Sequence, residues 1–243
     1  MKPKQADFVD RTKDSRTFRP NLMPETMRSL KAFVFDFDGT LAELNLDFNF
    51  MKDSLLNLSR EFGIKDDNLK NLLILELIDT VRDLIDEKDP RNAMDFSDKA
   101  YILIEEIEIE AARKGALLNG TLLLLTTLKE RGNAIGIITR NCHAALMNVF
   151  PQIENYCDVV ISRDKTTHVK PHPDHLIKAL SLLGASPDSA VMIGDHPLDI
   201  HLGRKVGTYT VGVLTGYSQA DTLIASGADL ILNRAVEILD ILI

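Results

Sequence analysis

Two carboxylates stand at the end of an apolar run in the stretch from Lys31 to Leu44, KAFVFDFDGTLAEL. Asp36 and Asp38 are separated by one residue, and Gly39 follows at once. One carboxylate can attack as a nucleophile, while a second one beside it moves protons to a leaving group and from a water molecule. Carboxylate oxygens are also preferred ligands of Mg²⁺. The pair therefore indicates a catalytic or metal-binding site at the end of this apolar run.

Further polar residues follow later apolar runs. Thr139 ends NAIGIIT, Lys170 stands before PHPD, and GDHPLD contains Asp195 and Asp199. Singly, each of these is common in turns and helix starts. Together they are informative, because ligands of open α/β sheets bind outside the carboxyl ends of the strands. We therefore expect them to converge on one edge of a sheet.

Strand-like and helix-like patterns alternate from Lys31 onward. The strand-like runs are nearly continuous in Val, Ile, Leu and Phe, as expected for strands buried on both faces. They cover residues 31–36, 133–139, 158–162, 189–195, 208–213 and 228–232. Most of the helical segments between them end in glycine. The pattern predicts a doubly wound, mostly parallel α/β sheet with helices on both faces.

One interval, residues 45–114, has helical periodicity only. It predicts an inserted all-helical cap of three or four helices, serving either as a lid over the strand ends or as a bundle without a catalytic role. Lys52, Arg82 and Arg91 in this insert would contact an anionic substrate or face water. The expected organisation is an N-terminal extension (1–30), a core (31–44 and 115–243) and the cap (45–114).

Composition restricts the classes of function. The chain has 243 residues, 45% of them hydrophobic, and a formal net charge of −8, which opposes binding to nucleic acid or anionic membrane. The longest apolar tracts are too short to span a bilayer, and the first thirty residues lack the apolar run of a secretory signal. Cys142 and Cys157 are too few for a disulfide framework or a four-ligand zinc site. A soluble cytoplasmic protein is expected.

The segments DFDGTL, IIT, KPHPD and GDHPLD, in this order, resemble those of the haloacid dehalogenase-like hydrolase superfamily. Within it the chain is similar to the phosphoglycolate phosphatase-like group, which has a helical cap after the first strand. The resemblance covers residues 31–243. It implies a Rossmann-like core and a magnesium-dependent phosphatase that hydrolyses a small phosphomonoester through an aspartyl-phosphate intermediate. Phosphoglycolate is the first candidate substrate.

The same resemblance implies a role for each motif residue. Asp36 would be the nucleophile, Asp38 the general acid and base, and Thr139 and Lys170 would complete the catalytic set. Phosphate would be bound by Phe37, Gly39, Thr139, Arg140 and Lys170, with backbone N–H groups left free by the turn at Gly39. Mg²⁺ would be held by Asp36, Asp38 through its backbone carbonyl, and Asp195, with Asp199 holding a metal-bound water or orienting Lys170. Asp38 favours a phosphatase over a dehalogenase, because a halide leaves without a proton.

Several alternatives remain open at this level. A phosphomutase or an inorganic pyrophosphatase of the same family would use the same residues, and a non-catalytic binder of phosphorylated ligands could keep the fold. The expected partner is a small phosphorylated metabolite, bound by a monomer or a homodimer. Six histidines lie between His143 and His201 in spacings that match no common zinc pattern. They are interpreted as surface residues or neighbours of the site, with His196 beside the substrate.

Overall fold

The computed structural model describes residues 27–242, so the predicted extension (1–30) lies almost wholly outside the described residues. The chain divides into two compact units. One is Leu44–Lys114, and the other joins the described residues up to Glu43 to those from Gly115 onward. We call them the insert and the core unit.

The core unit contains a six-stranded parallel sheet, as the alternating pattern predicts. In chain order the strands are β1 (Ala32–Phe35), β2 (Ala42–Glu43), β3 (Ala116–Leu117), β4 (Ala134–Ile138), β5 (Val159–Ile161), β6 (Ala190–Gly194), β7 (Tyr209–Val213) and β8 (Leu230–Leu232). The sheet order is β5-β4-β1-β6-β7-β8. The helices are α1 (Phe48–Glu61), α2 (Ile74–Asp86), α3 (Pro90–Ala112), α4 (Thr121–Glu130), α5 (His143–Val149), α6 (Pro173–Leu182), α7 (Pro197–Val206), α8 (Ala220–Ala225) and α9 (Leu239–Leu242).

The three central strands, β4, β1 and β6, bring distant segments of the chain together. Phe35 pairs in register with Ile137 on one side and Ile193 on the other. The chain builds outward from β1 through β4 to β5, then crosses to β6 on the opposite side. Such a reversal opens a crevice at the carboxyl ends of the strands, where ligands of this fold class bind. Asp36, Thr139 and Asp195 each come directly after one of these strands.

Apolar side chains fix the sheet against its helices. Val34, Ile138 and Met192 from the central strands pack with Leu176 of α6 and Leu202 of α7 in one fully buried cluster. Burying side chains of this size stabilises the fold by roughly 1.5–3 kcal/mol each. This cluster lies against the strands whose ends carry the polar residues, so it fixes their spacing.

A two-stranded antiparallel pair, β2 with β3, was not predicted. Ala42 pairs with Leu117 and Glu43 with Ala116, immediately before and after the insert. The Thr121 hydroxyl also donates to the Leu41 carbonyl at 2.7 Å. Strands of two residues have no hydrophobic period, which is why the sequence pattern does not reveal them.

The insert is helical, but its elements differ in detail from the predicted runs. The helical pattern of residues 66–88 is broken, because Leu72 and Leu73 are extended and separate a 3₁₀ turn, Asp67–Asn71, from α2. Helix α3 begins at Pro90, five residues before the helical pattern of residues 95–115. Asp89 caps this start by accepting from the N–H of Arg91 at 3.0 Å.

Two of the insert cations considered as substrate contacts are engaged within the insert itself. Lys52 donates to the Lys70 carbonyl at 3.0 Å. Arg82 pairs with Asp79 at 2.7 Å and with Asp83 at 2.8 Å. Over the described residues, none of the helices combines the length and the apolar character needed to cross a bilayer.

Candidate active site

Lys170 joins two of the aspartates that the sequence singled out. Its Nζ lies 2.6 Å from Asp36 Oδ1 and 2.7 Å from Asp199 Oδ1. All three side chains are nearly or fully buried, with exposed fractions of 3% for Lys170, 12% for Asp36 and 0% for Asp199. Charge-assisted hydrogen bonds of this length are strong in a water-poor site. The ammonium is therefore fixed between the carboxyl end of β1 and the first turn of α7.

Asp195 completes a cluster of three acids at the same edge. Carboxylate oxygens of Asp36, Asp195 and Asp199 lie within 4.8 Å of one another. Asp195 Oδ2 accepts from the N–H of Tyr217 at 3.1 Å. Asp199 Oδ2 accepts from the N–H of His196 at 3.1 Å and so caps α7 while its other oxygen binds Lys170. Backbone N–H groups thus orient both acids.

Glycines make room for these carboxylates. A Cβ added to Gly216 would lie 1.9 Å from Asp195 Oδ2, and one added to Gly194 would lie 2.2 Å from Asp199 Oδ2. Gly39, at φ +79°, would place a Cβ 2.7 Å from the Asp195 carboxylate. Distances of this kind are far below van der Waals contact, so only glycine permits the carboxylates to lie where they do.

Burial and neighbouring charges both shift the pKa values of these side chains. Burial raises the pKa of Asp36 to about 6, even though Lys170 lowers it, and the Asp199 charge adds to the rise. Burial raises the pKa of Asp195 to about 8, with further increases from Asp36 and Asp199. Burial alone would lower the pKa of the Lys170 ammonium, but Asp199 and Asp36 outweigh it and raise that pKa. With all three acids ionised, one ammonium would leave excess negative charge, and a bound cation would compensate it.

The donor set fits a hard divalent cation. Three carboxylates supply oxygen ligands only, and Mg²⁺ takes such ligands while keeping some of its waters. Asp36, Asp195 and Asp199 are the side chains that the geometry brings together for this role. The Asp38 carboxylate lies outside that set, and a role for its backbone carbonyl as a ligand stays a prediction.

The segment that carries Lys170 is held by two residues. The Lys170 N–H donates to His175 Nδ1 at 3.1 Å, and His175 Nε2 lies 3.0 Å from the Ile161 carbonyl at the end of β5. Because Nδ1 accepts, Nε2 carries the proton and donates to Ile161. The Arg140 guanidinium donates to the Lys170 carbonyl. Arg140, expected to contact phosphate, thus lies in the site but uses one N–H to hold Lys170.

Thr139 lies at the end of β4, beside β1. Its N–H donates to the Ile161 carbonyl at 3.1 Å, and its hydroxyl oxygen accepts from the N–H of Asn141 at 3.2 Å. A hydroxyl that accepts from the backbone keeps its own proton for donation. Asn141 is buried, and its side-chain Nδ2 has no hydrogen-bond partner among the described residues. Two polar groups that follow the end of β4 thus keep protons to donate.

The turn after β1 differs from the expectation in one respect. The Gly39 N–H donates to the Ala42 carbonyl at 2.7 Å, so it is not free for a phosphate oxygen. Phe37 is fully buried, and its carbonyl accepts from the N–H groups of Leu41 and Ala42. Any phosphate contact of Phe37 would therefore be through its N–H. Asp38 is only half-buried on this turn, which leaves its carboxylate accessible.

Some site residues were not found from the sequence. His175, Asn141, Thr215, Gly216 and Tyr217 all contact motif residues or stand against them. The Thr215 hydroxyl, for example, donates to the Gly39 carbonyl at 2.6 Å across 176 residues. The signal for the last three was their position directly after β7, at the same edge as the motifs.

Two side chains that follow β4 and β6 cap the helices that come next in the chain. His196 precedes α7, and its Nδ1 accepts from the N–H of Leu198 at 3.2 Å. Cys142 precedes α5, and its sulfur accepts from the N–H of Ala145 at 3.4 Å. Both atoms are therefore occupied by the backbone in this structure.

His175 should make the stability of the fold depend on pH. Burial and the nearby Lys170 charge lower its pKa to about 4 from an ordinary value of 6.5. Between these values the unfolded chain binds a proton at this histidine that the folded chain does not, so the His175 contribution to the free energy of unfolding falls as pH drops from 6.5 to 4. The raised pKa values of Asp36 and Asp195 act in the opposite sense, so only the difference between wild type and a His175 variant isolates this contribution. The contribution is at most about 3 kcal/mol. In urea denaturation followed by circular dichroism, the free energy of unfolding of wild type relative to that of His175→Gln should decrease as pH drops from 6.5 to 4.

His201→Gln, which changes an exposed histidine, serves as the matched control and should keep the wild-type slope. Equal slopes in wild type and His175→Gln would contradict the assignment of His175 as a neutral buried group.

Known proteins resemble this chain in sequence and in fold. The family model described as haloacid dehalogenase-like hydrolase matches residues 33–213, which include all the motif residues named above. A pyrophosphatase PpaX from Bacillus cereus strain AH820 is 38% identical over 117 residues, 47% of this chain and 54% of that protein. The match thus spans about half the length of this curated relative.

Solved structures extend the likeness to most of the chain. A Bacteroides fragilis protein assigned as a haloacid dehalogenase-like hydrolase is 25% identical, with a TM-score of 0.66 over 86% of this chain and 99% of its own. A predicted phosphoglycolate phosphatase from Haemophilus somnus is 19% identical, with a TM-score of 0.62 over 88% and 98%. At that identity the second likeness concerns the fold alone. With the family match covering well over half of its residues, the chain belongs to the haloacid dehalogenase-like hydrolase family.

Proposed function

We propose that this protein is a magnesium-dependent phosphatase of small phosphomonoesters, with Asp36 as the nucleophile. The observation that carries the proposal is the buried contact of Asp36 with Lys170 at 2.6 Å, beside Asp195 and Asp199. A carboxylate at the end of a central strand, facing a fixed ammonium, is positioned to attack an electrophile that carries negative charge. A phosphoryl group meets that description.

In the proposed reaction, an Asp36 carboxylate oxygen forms a bond to phosphorus as the bond to the leaving oxygen breaks. Asp38 gives that oxygen its proton and later takes one from the water that hydrolyses the aspartyl phosphate. Half-burial of Asp38 on the turn agrees with an exchange of protons with the leaving group and with water. The products are an alcohol and inorganic phosphate.

Binding of the phosphoryl group falls to the donors around Asp36. Lys170 offsets its negative charge, and the Thr139 hydroxyl retains a proton for a phosphate oxygen. The N–H of Phe37 and the Arg140 guanidinium would complete this set. Donors fixed before the substrate arrives need little reorganisation during reaction.

Mg²⁺ would be held by Asp36 and Asp195, with Asp199 contributing directly or through a water. When bound, it supplies positive charge that lets an anionic nucleophile approach an anionic phosphate. The raised pKa values of Asp36 and Asp195 support this, because burial and then the neighbouring carboxylates disfavour their anionic forms, and a bound cation would stabilise those forms. We also propose a small metabolite as substrate, since the net charge of −8 disfavours polyanionic polymers. The two buried free cysteines agree with a reducing, cytoplasmic setting.

Asp36→Asn should abolish catalysis, because the amide is a poor nucleophile. We expect turnover of 4-nitrophenyl phosphate with Mg²⁺ to fall by about 10³-fold or more. Circular dichroism should show an unchanged fold. Asp188→Asn, an exposed substitution elsewhere on the core unit, should retain full activity. Asp36→Asn turnover within tenfold of wild type would refute the mechanism.

Gly216→Ala should weaken Mg²⁺ binding, because the added methyl group would lie 1.9 Å from Asp195 Oδ2 and displace that carboxylate. Titrating Mg²⁺ in the activity assay should give an activation midpoint at least about tenfold higher, as should Asp195→Asn. The control is Gly132→Ala, whose methyl group would meet nothing within 4 Å. Its left-handed φ of +79° costs stability without touching the site. An unchanged midpoint in Gly216→Ala would remove Asp195 from the proposed metal shell.

Inorganic pyrophosphate is the second candidate substrate, and one observation favours it. The curated relative that matches at 38% identity is named a pyrophosphatase, although the match covers 54% of that protein. The two proposals separate when the purified protein is given pyrophosphate, phosphoglycolate and a panel of other phosphorylated metabolites. A phosphomonoesterase should show its highest kcat/KM on an organic phosphate. A kcat/KM on pyrophosphate about tenfold or more above every phosphomonoester would instead favour the second candidate.

A further inference from the structure

A second group of metal-ligating side chains lies on the exposed surface of the core unit. His168, His172 and Asp174 stand at and just before the start of α6, with one potential ligand atom from each within 4.8 Å of the others. His168 Nδ1 lies 3.1 Å from Asp174 Oδ2, and His172 Nδ1 lies 3.4 Å from the same oxygen. The exposed fractions of the three side chains are 50%, 46% and 56%. An ion in solution can therefore reach them.

These separations match the edges of a coordination shell. Two ligand atoms bound to one Zn²⁺ at about 2.0–2.1 Å, and at roughly 90–110° to each other, are themselves about 2.9–3.4 Å apart. The two measured nitrogen–oxygen distances, 3.1 and 3.4 Å, both fall in this interval. The imidazole rings of His168 and His172 are stacked, with centroids 4.1 Å apart and planes inclined by 22°. Both rings thus approach the carboxylate together.

A hydrogen bond does not account for the contact between His172 Nδ1 and Asp174 Oδ2. His172 Nδ1 accepts from the N–H of Asp174 at 3.3 Å, so that nitrogen carries a lone pair and no proton. The same lone-pair nitrogen lies 3.4 Å from a carboxylate oxygen, which is also an acceptor. Two acceptors at this distance repel unless a cation lies between them. A metal ion that takes the place of the Asp174 N–H at the His172 lone pair would bind both atoms and remove this repulsion.

We propose that His168, His172 and Asp174 form a transition-metal site, separate from the acidic cluster around Asp36. Two imidazole nitrogens and one carboxylate oxygen suit Zn²⁺, Co²⁺ or Ni²⁺, whereas Mg²⁺ prefers oxygen ligands. Three protein ligands leave at least one position for water. The sequence did not indicate this set, because His172 and His175 are the two histidines that stand close together in the chain. In the structure, His175 turns inward to the Ile161 carbonyl, and His168 is the second histidine near Asp174.

The position of this site gives it a consequence for Lys170. Residues 168 and 172 flank Lys170 in the chain, and the N–H of His172 donates to the Val169 carbonyl at 2.8 Å. An ion that joins His168 to His172 and Asp174 closes a short loop around the residue that contacts Asp36 and Asp199. A metal ion that binds the folded chain but not the unfolded chain also raises the free energy of unfolding by mass action.

The test is a titration of the full chain, free of any histidine tag, with Zn²⁺ and separately with Co²⁺ in the presence of excess Mg²⁺. Calorimetry should report one tight Zn²⁺ site, and Co²⁺ should give visible absorption bands of an imidazole-ligated ion. His168→Ala should weaken Zn²⁺ binding about 10–100-fold. This variant is preferred because His168, unlike His172, does not cap α6.

His201→Ala, at an exposed histidine outside the cluster, is the matched control and should bind Zn²⁺ as wild type does. Asp195→Asn should also leave the site intact, which separates it from the acidic cluster. Absence of Zn²⁺ binding below millimolar concentration would overturn the proposal, as would wild-type affinity in His168→Ala. Zn²⁺ binding lost in Asp195→Asn but kept in His168→Ala would assign the ion to the acidic cluster instead.

Discussion

Three carboxylates and one ammonium share a buried edge of the sheet, and this imbalance of charge constrains everything around it. Moving carboxylates out of water is costly, and their mutual repulsion adds to the cost. The effect is visible in Asp195, whose pKa rises to about 8, and in Asp36, whose pKa rises to about 6. Lys170 contacts two of the acids but cannot neutralise three. The fold must therefore hold an arrangement that its own electrostatics oppose.

The surrounding residues supply that restraint mainly through the backbone. N–H groups of Tyr217 and His196 donate to Asp195 and Asp199, and glycines leave the space that the carboxylates occupy. His175 holds the Lys170 N–H without adding another charge, because its lowered pKa keeps the ring neutral. Rigid support of this kind preorganises a site whose groups would otherwise separate into water.

The sequence predicted the sheet well, because strands buried on both faces have nearly continuous apolar sequences. It also predicted that Asp36, Thr139, Lys170 and Asp195 would meet, since the edge of a parallel sheet is fixed by topology. It did not predict His175 or Tyr217, because their contacts depend on which way one side chain turns or on a loop returning after β7. The break before α2 was hidden for a different reason, since Leu72 and Leu73 continue the apolar pattern while leaving the helical conformation.

The short β2–β3 pair has a consequence for how this chain can change. Ala42 and Leu117 are partners across an interval of more than seventy residues, so the core unit presents two adjacent attachment points whatever lies between them. The entropy of closing such an interval grows only slowly, by about 0.6 kcal/mol for each doubling of its length. A core with this β2–β3 pair can accept inserts of very different size while its own strands remain paired. The part of the gene that encodes the insert is therefore free to diverge faster than the part that encodes the carboxylates.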